Sequence, residues 1–246
     1  MAPGDHPETV GIGAAPSHWV RWHRGYEDPS SNLSRRLQTV QSMLGTALDE
    51  LPARGPALDT NPEPIRIVSL CAGQGRDVID VVATHPRGPE VSALLVELDP
   101  ALVAFARARA RAAAAAGAGG VAQRVRIVEG DASRCHWYAD DVPADIVLVC
   151  GVFGNISAAD ITGTIQAMRG FCAPGGHVIW TRHRNPPDAT PGIRADFAAA
   201  GFSELGFEAP ADTIMTVGHH RLDGPTATFD PGRVLFDFVG DGANPA

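Results

Sequence analysis

Residues with chemical potential stand where short apolar runs end. Ile67-Val68-Ser69-Leu70-Cys71-Ala72-Gly73-Gln74-Gly75-Arg76-Asp77 reads as a strand that ends in a glycine-containing turn and opens a helix. Such a turn lets the backbone approach a ligand and aims helix N-terminal amides at a negative group. Glu97 closes the next run, about 20 residues on, where an acidic side chain accepts hydrogen bonds from both hydroxyls of a ribose. Asp131 closes the third run in Val128-Glu129-Gly130-Asp131-Ala132. A carboxylate there accepts from an adenine amino group, which is a donor. As a dinucleotide fingerprint the turn falls short, because a GxGxxG beginning at Gly73 puts Val78 where a small residue is needed.

A second set follows the fourth and fifth runs. In Cys150-Gly151-Val152-Phe153-Gly154-Asn155-Ile156-Ser157, two glycines flank Phe153, which either walls an apolar acceptor pocket or turns into the core. Asn155 either orients an acceptor or caps the next helix. In Thr181-Arg182-His183-Arg184-Asn185-Pro186-Pro187, His183 is the first candidate for a general base, because imidazole is readily tuned to accept a proton near neutrality. A solvated loop histidine, with its pKa lowered by the adjacent arginines, is the alternative. Arg182 or Arg184 suits a bidentate grip on a carboxylate. His219 and His220 lack a third ligand at helical spacing, so no metal is expected. Cys71, Cys135, Cys150 and Cys172 form no CxxC pair and read as reduced thiols.

Positioning these groups takes a repeated βα frame. Candidate strands run over 65–70, 93–97, 125–129, 145–150 and 177–181, alternating with helical patterns, which predicts a doubly wound, mainly parallel α/β sheet. Ligands bind beyond the carboxyl ends of such strands, so the groups above converge by topology. Asp99 and Pro100 open an Ala/Arg-rich helix as N-cap and N1, and Ser157 caps another that ends at Phe171. The stretches 193–200, Gly201-Phe202, 213–217 and 234–239 are expected to complete the sheet. Upstream, Leu33, Leu37, Val40, Leu44, Leu48 and Leu51 recur at helical spacing after Ser31 or Asn32 as cap. Trp19, Trp22, His23, Tyr26 and Arg35 or Arg36 either face the site or simply pack. The expected organisation is a disordered tail (1–16), a helical lid with linker (17–60) and the main domain (61–246).

The 246 residues, 44% hydrophobic and 20% charged, suit one globular α/β domain with a short appendage. No run approaches the ~18 apolar residues of a membrane span, and the first residues lack a secretory pattern, so a cytoplasmic protein is expected. Twenty basic residues, all arginine and scattered, face 28 acidic ones for a net charge of -8. This disfavours nucleic acid and membrane surfaces as partners and leaves a small molecule. The sequence does not set the oligomeric state.

Four motifs taken together resemble the class I S-adenosylmethionine-dependent methyltransferases, from about Ile65 to Val239. They are the Ser69–Gly75 turn, Glu97, Asp131 with Ala132, and Ala173-Pro174-Gly175-Gly176 before the fifth strand. The resemblance implies a Rossmann-like seven-stranded sheet with an antiparallel last strand, supplied by 213–239. It also implies S-adenosylmethionine as cofactor and methyl transfer to an O, N or S atom of a small-molecule metabolite. Implied cofactor contacts are Ser69, Cys71, Ala72, Gly73, Gly75, Asp77, Glu97, Leu98, Asp131, Ala132, Cys150 and Gly151. On the acceptor side stand Tyr26, Phe153 and Arg182, with His183 and Asn155 at the chemistry. Two positions depart from the family: Ser69 stands where an acidic residue is usual, and Cys71 replaces the first glycine. Asp77 for the ammonium and Arg76 for the carboxylate are the available substitutes, with a surface cap as the plain alternative. The rival functions are an NAD-dependent oxidoreductase, which would share Glu97 but not Asp131, and a non-catalytic S-adenosylmethionine-binding protein.

Overall fold

The computed structural model describes residues 17–52, 63–118 and 120–239; the expected tail and most of the linker lie outside the described residues. The helices are α1 (His18–Trp22), α2 (Asn32–Glu50), α3 (Arg76–Thr84), α4 (Pro100–Ala115), α5 (Val121–Arg124), α6 (Ala158–Phe171) and α7 (Thr190–Ala199). The strands are β1 (Ile65–Leu70), β2 (Val91–Glu97), β3 (Val125–Glu129), β4 (Ala144–Val149), β5 (Cys172–His183), β6 (Phe202–Glu208) and β7 (Met215–Leu222). They form one sheet in the order β3-β2-β1-β4-β5-β7-β6. The first five strands in that order run parallel, and β7 is antiparallel to both its neighbours. The order reverses at β1, so the crevice opens beside its carboxyl end. Register carries the strand ends to one level, with Leu70 opposite both Val96 and Val149, and Glu97 opposite Glu129.

Both faces of the sheet are covered, which is why β1, β2 and β4 read as nearly unbroken apolar runs. On one face Ile67, Leu95, Leu148 and Ile179 pack against Leu44 and Leu48 of α2, Val78 and Ile79 of α3 and Ala106 of α4. On the other, Val68, Leu70, Val149 and Trp180 pack against Ile165 and Met168 of α6 and Phe197 of α7. The leucine stripe of α2 is therefore core. Its cap is Ser31, whose hydroxyl accepts from the Ser34 amide at 3.1 Å. Its last turn is closed by Arg87, which donates to the Leu48 and Leu51 carbonyls at 2.6 and 2.7 Å, satisfying acceptors that a helix end leaves open.

The structure corrects the expected strands in three places. β5 begins at Cys172, directly after α6, and the Pro174-Gly175-Gly176 segment lies inside it as an irregularity in pairing with β4. β7 runs on to Leu222, because His219 and His220 are buried rather than exposed. Residues 234–239 add no strand to the sheet, whose far edge β6 already closes. They make isolated bridges, Arg134 with Val234 and Ile156 with Phe238, and press Leu235 and Phe236 into the core beside α6. No described helix is long and apolar enough to cross a membrane.

Candidate active site

The turn from β1 into α3 sets the site. Cys71, Gly73 and Gly75 all have positive φ (51°, 55° and 64°). At Gly75 a side chain is also blocked, since its Cβ would lie 2.8 Å from both Ile79 and Leu95. The Gly73 amide donates to one oxygen of Glu97 at 2.7 Å and the Asp99 amide to the other at 2.8 Å. Burial raises the Glu97 pKa, with these amides opposing it. Each oxygen keeps acceptor capacity for a hydroxyl. Beyond Glu97, the Leu98 side chain is 64% exposed, an apolar surface at the rim. Asp131 is half-exposed and accepts from the Ser133 amide at 3.0 Å and Arg134 Nε at 3.2 Å. Partial burial works to raise its pKa, but those hydrogen bonds and the Arg134 charge hold it below the usual carboxylate range. Ala132 is buried, and its carbonyl accepts from the Tyr138 hydroxyl at 2.7 Å.

Asp77, in the first turn of α3, is buried and accepts from the Val78 amide at 2.9 Å. Burial pushes its pKa up to about 6, against those backbone bonds and the field of Arg36. Arg36 lies over the Trp22 ring at 5.0 Å and donates to the Tyr26 hydroxyl at 3.4 Å. Burial raises the Tyr26 pKa. Arg76, the sequence's candidate for a carboxylate, is placed otherwise. Its guanidinium lies over both Tyr26 and Phe105, at 5.1 and 5.0 Å, and its Nε donates to Gln74. Sequence spacing named Arg36 only as one of two; the missing signal was the rotational phase of α2 relative to the turn. Ser69 is fully buried with its hydroxyl unpartnered among the described residues. Cys71 packs toward the α6 side and Cys150 toward the α2 side, and burial raises both thiols.

Residues 17–27 lie across this turn as a strap. Ser17 donates to Asp99, and His23 Nδ1 bonds the Trp19 carbonyl at 2.7 Å. The His23 imidazole rests on Gly73, in the place a side chain there would need. The Trp19 ring meets Phe238 at 6.1 Å, so the strap and the final described segment close on one another.

On the acceptor side the structure separates the candidates. Phe153 is a correction: it is fully buried, with Trp180 and Phe197 rings at 5.9 and 6.4 Å, because the turn after β4 points it beneath the sheet edge. Asn155 does not cap α6, a role Ser157 takes by accepting from the Asp160 amide. Its side chain donates to the Gly151 carbonyl at 2.7 Å and staples the 151–155 turn. Gly151 has φ 78° and faces open space, while its amide donates to the Thr181 hydroxyl at 2.8 Å. Arg182 donates to the Phe153 carbonyl, and its Nε is buried without a partner among the described residues. His183 stands beside Gly154, and burial together with the Arg182 charge lowers its pKa. His219 and His220 lie away from this rim. His219 contacts His177 at 2.9 Å, His220 accepts from Trp180, and no metal-binding cluster is present among the described residues.

A nucleotide-sized donor set at the carboxyl edge, under a sheet ordered 3-2-1-4-5-7-6, defines the class I S-adenosylmethionine-dependent methyltransferase fold. Residues 67–176 match the family model described as a methyltransferase domain, a span from β1 into β5 that holds Glu97 and Asp131. Over that span, a little under half of the chain, the sequence is similar to the methyltransferase family, and the fold is that of the S-adenosylmethionine-dependent methyltransferases. No curated protein matches the sequence. Among solved structures, a candidate O-methyltransferase from Nostoc punctiforme aligns with a TM-score of 0.58 and 19% identity, over 82% of this chain and 59% of that one. This chain thus spans only 59% of the Nostoc protein's length. Magnesium protoporphyrin IX methyltransferase from Synechocystis, with bound S-adenosylmethionine, aligns at 0.58 and 16% identity over 82% and 90%. A candidate exported protein from Bordetella parapertussis aligns at 0.59 and 15% identity over 84% and 79%. At these identities the likeness shows the fold alone.

The residues present fit S-adenosylmethionine as methyl donor. Asp77 is a buried carboxylate with no cation hydrogen-bonded to it among the described residues, which suits an ammonium. Glu97 has free acceptor capacity, and the missing Cβ at Gly151 leaves open space beside Cys150.

Proposed function

We propose that this chain transfers a methyl group to an O, N or S atom of a small-molecule acceptor, as a cytoplasmic enzyme of metabolite modification without nucleic-acid or membrane partners. The observation that carries the reading is the level set of groups at the carboxyl ends of adjacent strands, from Asp131 through Glu97 and Asp77 to Arg182 and His183. Closure of the edge by the strap and the net charge of -8 support a small acceptor over a polymer.

When bound, S-adenosylmethionine supplies an electrophilic methyl carbon: the acceptor's lone pair makes the new bond while the carbon–sulfur pair returns to sulfur. Glu97 accepts from the ribose hydroxyls, Leu98 and Ala132 offer apolar surface to the adenine, and Asp131 accepts from its amino group. The turn from Ser69 through Cys71, Ala72 and Gly73 to Gly75 presents backbone to the methionine portion. Asp77 takes the ammonium and Arg36 the carboxylate. Cys150 and Gly151 leave room for the methyl group. Tyr26 covers the acceptor from above, Asn155 holds the turn beneath it, and His183, kept neutral by burial and Arg182, accepts the proton of a hydroxyl acceptor. Alignment and exclusion of water then supply much of the rate.

Calorimetric titration with S-adenosylhomocysteine tests the cofactor half. Glu97→Ala is expected to weaken binding by about 100-fold, the loss of two hydrogen bonds to a charged group, with no binding of NAD by either protein. Equal affinity in the variant would remove Glu97 from the site.

A further inference from the structure

We infer that the acceptor is an uncharged aromatic molecule and that it seats in the cavity between α2 and the β6–β7 edge of the sheet. The inference rests on the methyltransferase reading and specifies its acceptor. The cavity measures about 460 Å³, within the range of small-molecule sites. Strand register sets its level. Met215, on the sheet side of the cavity, stands opposite His183 in the β5–β7 pairing, and Val217, beside it, opposite Thr181. Directly opposed residues of neighbouring strands share a face of the sheet, so this floor lies next to the proposed base at the carboxyl edge. Arg36 borders the cavity from α2, and the same guanidinium reaches the Tyr26 hydroxyl at 3.4 Å. One wall therefore joins the cavity to the donor turn, and the floor joins it to His183.

The lining selects the ligand. Met43 of α2 joins Met215, Val217 and Pro210 as its apolar part, and both methionines are half-buried rather than sealed. Unbranched thioether side chains adapt to a flat ring and make favourable sulfur–aromatic contacts. The two threonine hydroxyls in the lining are already engaged: Thr39 donates to the Arg35 carbonyl at 3.2 Å, and Thr213 accepts from the Met215 amide at 3.2 Å. Charges at the cavity balance. Arg35 and Arg36 stand against Glu208 and against Asp212, which bonds Arg35 at 2.9 Å between the turn after β6 and α2. An ionised ligand would bring a charge that nothing there compensates, which burial penalises; an uncharged ring brings none. Arg184 fixes the 210–213 turn through the Pro210 and Thr213 carbonyls at 2.6 and 2.7 Å, so that wall is preformed. The Arg35–Asp212 pair is largely exposed, and pairs of that kind hold weakly, so it is a latch that an entering ring displaces.

The test uses the full chain saturated with S-adenosylhomocysteine and reads methionine-methyl and histidine-ring NMR signals. Met43 and Met215 are assigned from their loss in Met43→Leu and Met215→Leu, and His183 from His183→Gln. Met168, fully buried on the α6 side of the sheet, is the internal reference. Naphthol is the probe, with naphthoate and naphthylmethylammonium as its charged counterparts. The expected result is a saturable ring-current shift of Met43, Met215 and His183 with naphthol, none at Met168, and binding at least about tenfold tighter than that of either ion. Thr39→Trp, which fills the cavity from α2, should weaken naphthol by about tenfold while binding S-adenosylhomocysteine like the parent. Unmoved methionines, equal or tighter binding of an ion, or undiminished affinity in the Thr39→Trp variant overturns the inference. So does movement of the methionines without His183, which would make the cavity a site for something other than the acceptor. Failure of the unmodified protein to bind S-adenosylhomocysteine would overturn the methyltransferase reading instead, and is read before any probe is added.

Discussion

Asp77 carries a stability cost that the proposed ammonium-binding role accounts for. Its folded pKa, near 6, lies above the ordinary aspartate value of 3.8. The native state therefore binds the proton more tightly than the unfolded chain, and stability falls as pH rises from about 4 to about 6. At neutral pH the ionised, buried carboxylate costs roughly 3 kcal/mol. Asp77→Asn should thus raise the denaturant midpoint of the cofactor-free protein at pH 7.5 while weakening S-adenosylmethionine, because an amide offers no counter-charge. A variant that is less stable, or that binds the cofactor equally well, would contradict this account. At the residue scale the acids at strand ends were legible, because strand length and turn chemistry place Glu97 and Asp131 wherever the sheet is. Phe153 was not. A single aromatic between two glycines points up or down according to the backbone of the turn, and sequence does not specify that backbone.

Between elements, the telling contact is that of the strap with the cofactor turn. Gly73 has φ 55° and carries the His23 imidazole where a methyl group would stand. Gly73→Ala combines a left-handed backbone, costing about 1 kcal/mol for a residue with a Cβ, with expulsion of that ring. Faster proteolysis within residues 17–31 is the expected outcome, with β1 through β7 still folded by circular dichroism; unchanged cleavage would show that the strap does not depend on this seat. Helix starts were readable here, since Ser31, Asp99 and Ser157 accept from the amides that their positions predicted. β6 was not readable. It is an edge strand, broken by an irregularity between Glu204 and Gly206, and its mostly exposed residues show no clean alternation. The stretch 234–239 errs in the opposite direction: it has a strand's composition, but the neighbouring edge is already paired.

For the molecule as a whole, acid is the vulnerable direction. Burial lowers the pKa of His219 and His220 to about 4, in a sheet region shared by β5, β6 and β7. Their unfolded values lie near 6.5, so between pH 6.5 and 4 the unfolded chain binds more protons and stability falls with pH. Each histidine contributes a slope of up to about 1.4 kcal/mol per pH unit, and Asp77 opposes them over part of that window. Denaturant titrations across pH 4–7 should show a net loss on acidification, steeper than in a His220→Gln variant. A flat profile would mean these imidazoles are protonated in the fold.

The meeting of Trp19 with Phe238 places both limits of the described chain at the same mouth, Ser17 on Asp99 and Val239 on the Asn155 carbonyl. The described fold therefore begins and ends at one mouth, so a change at Trp19 or at Phe238 reaches the active-site rim from either limit.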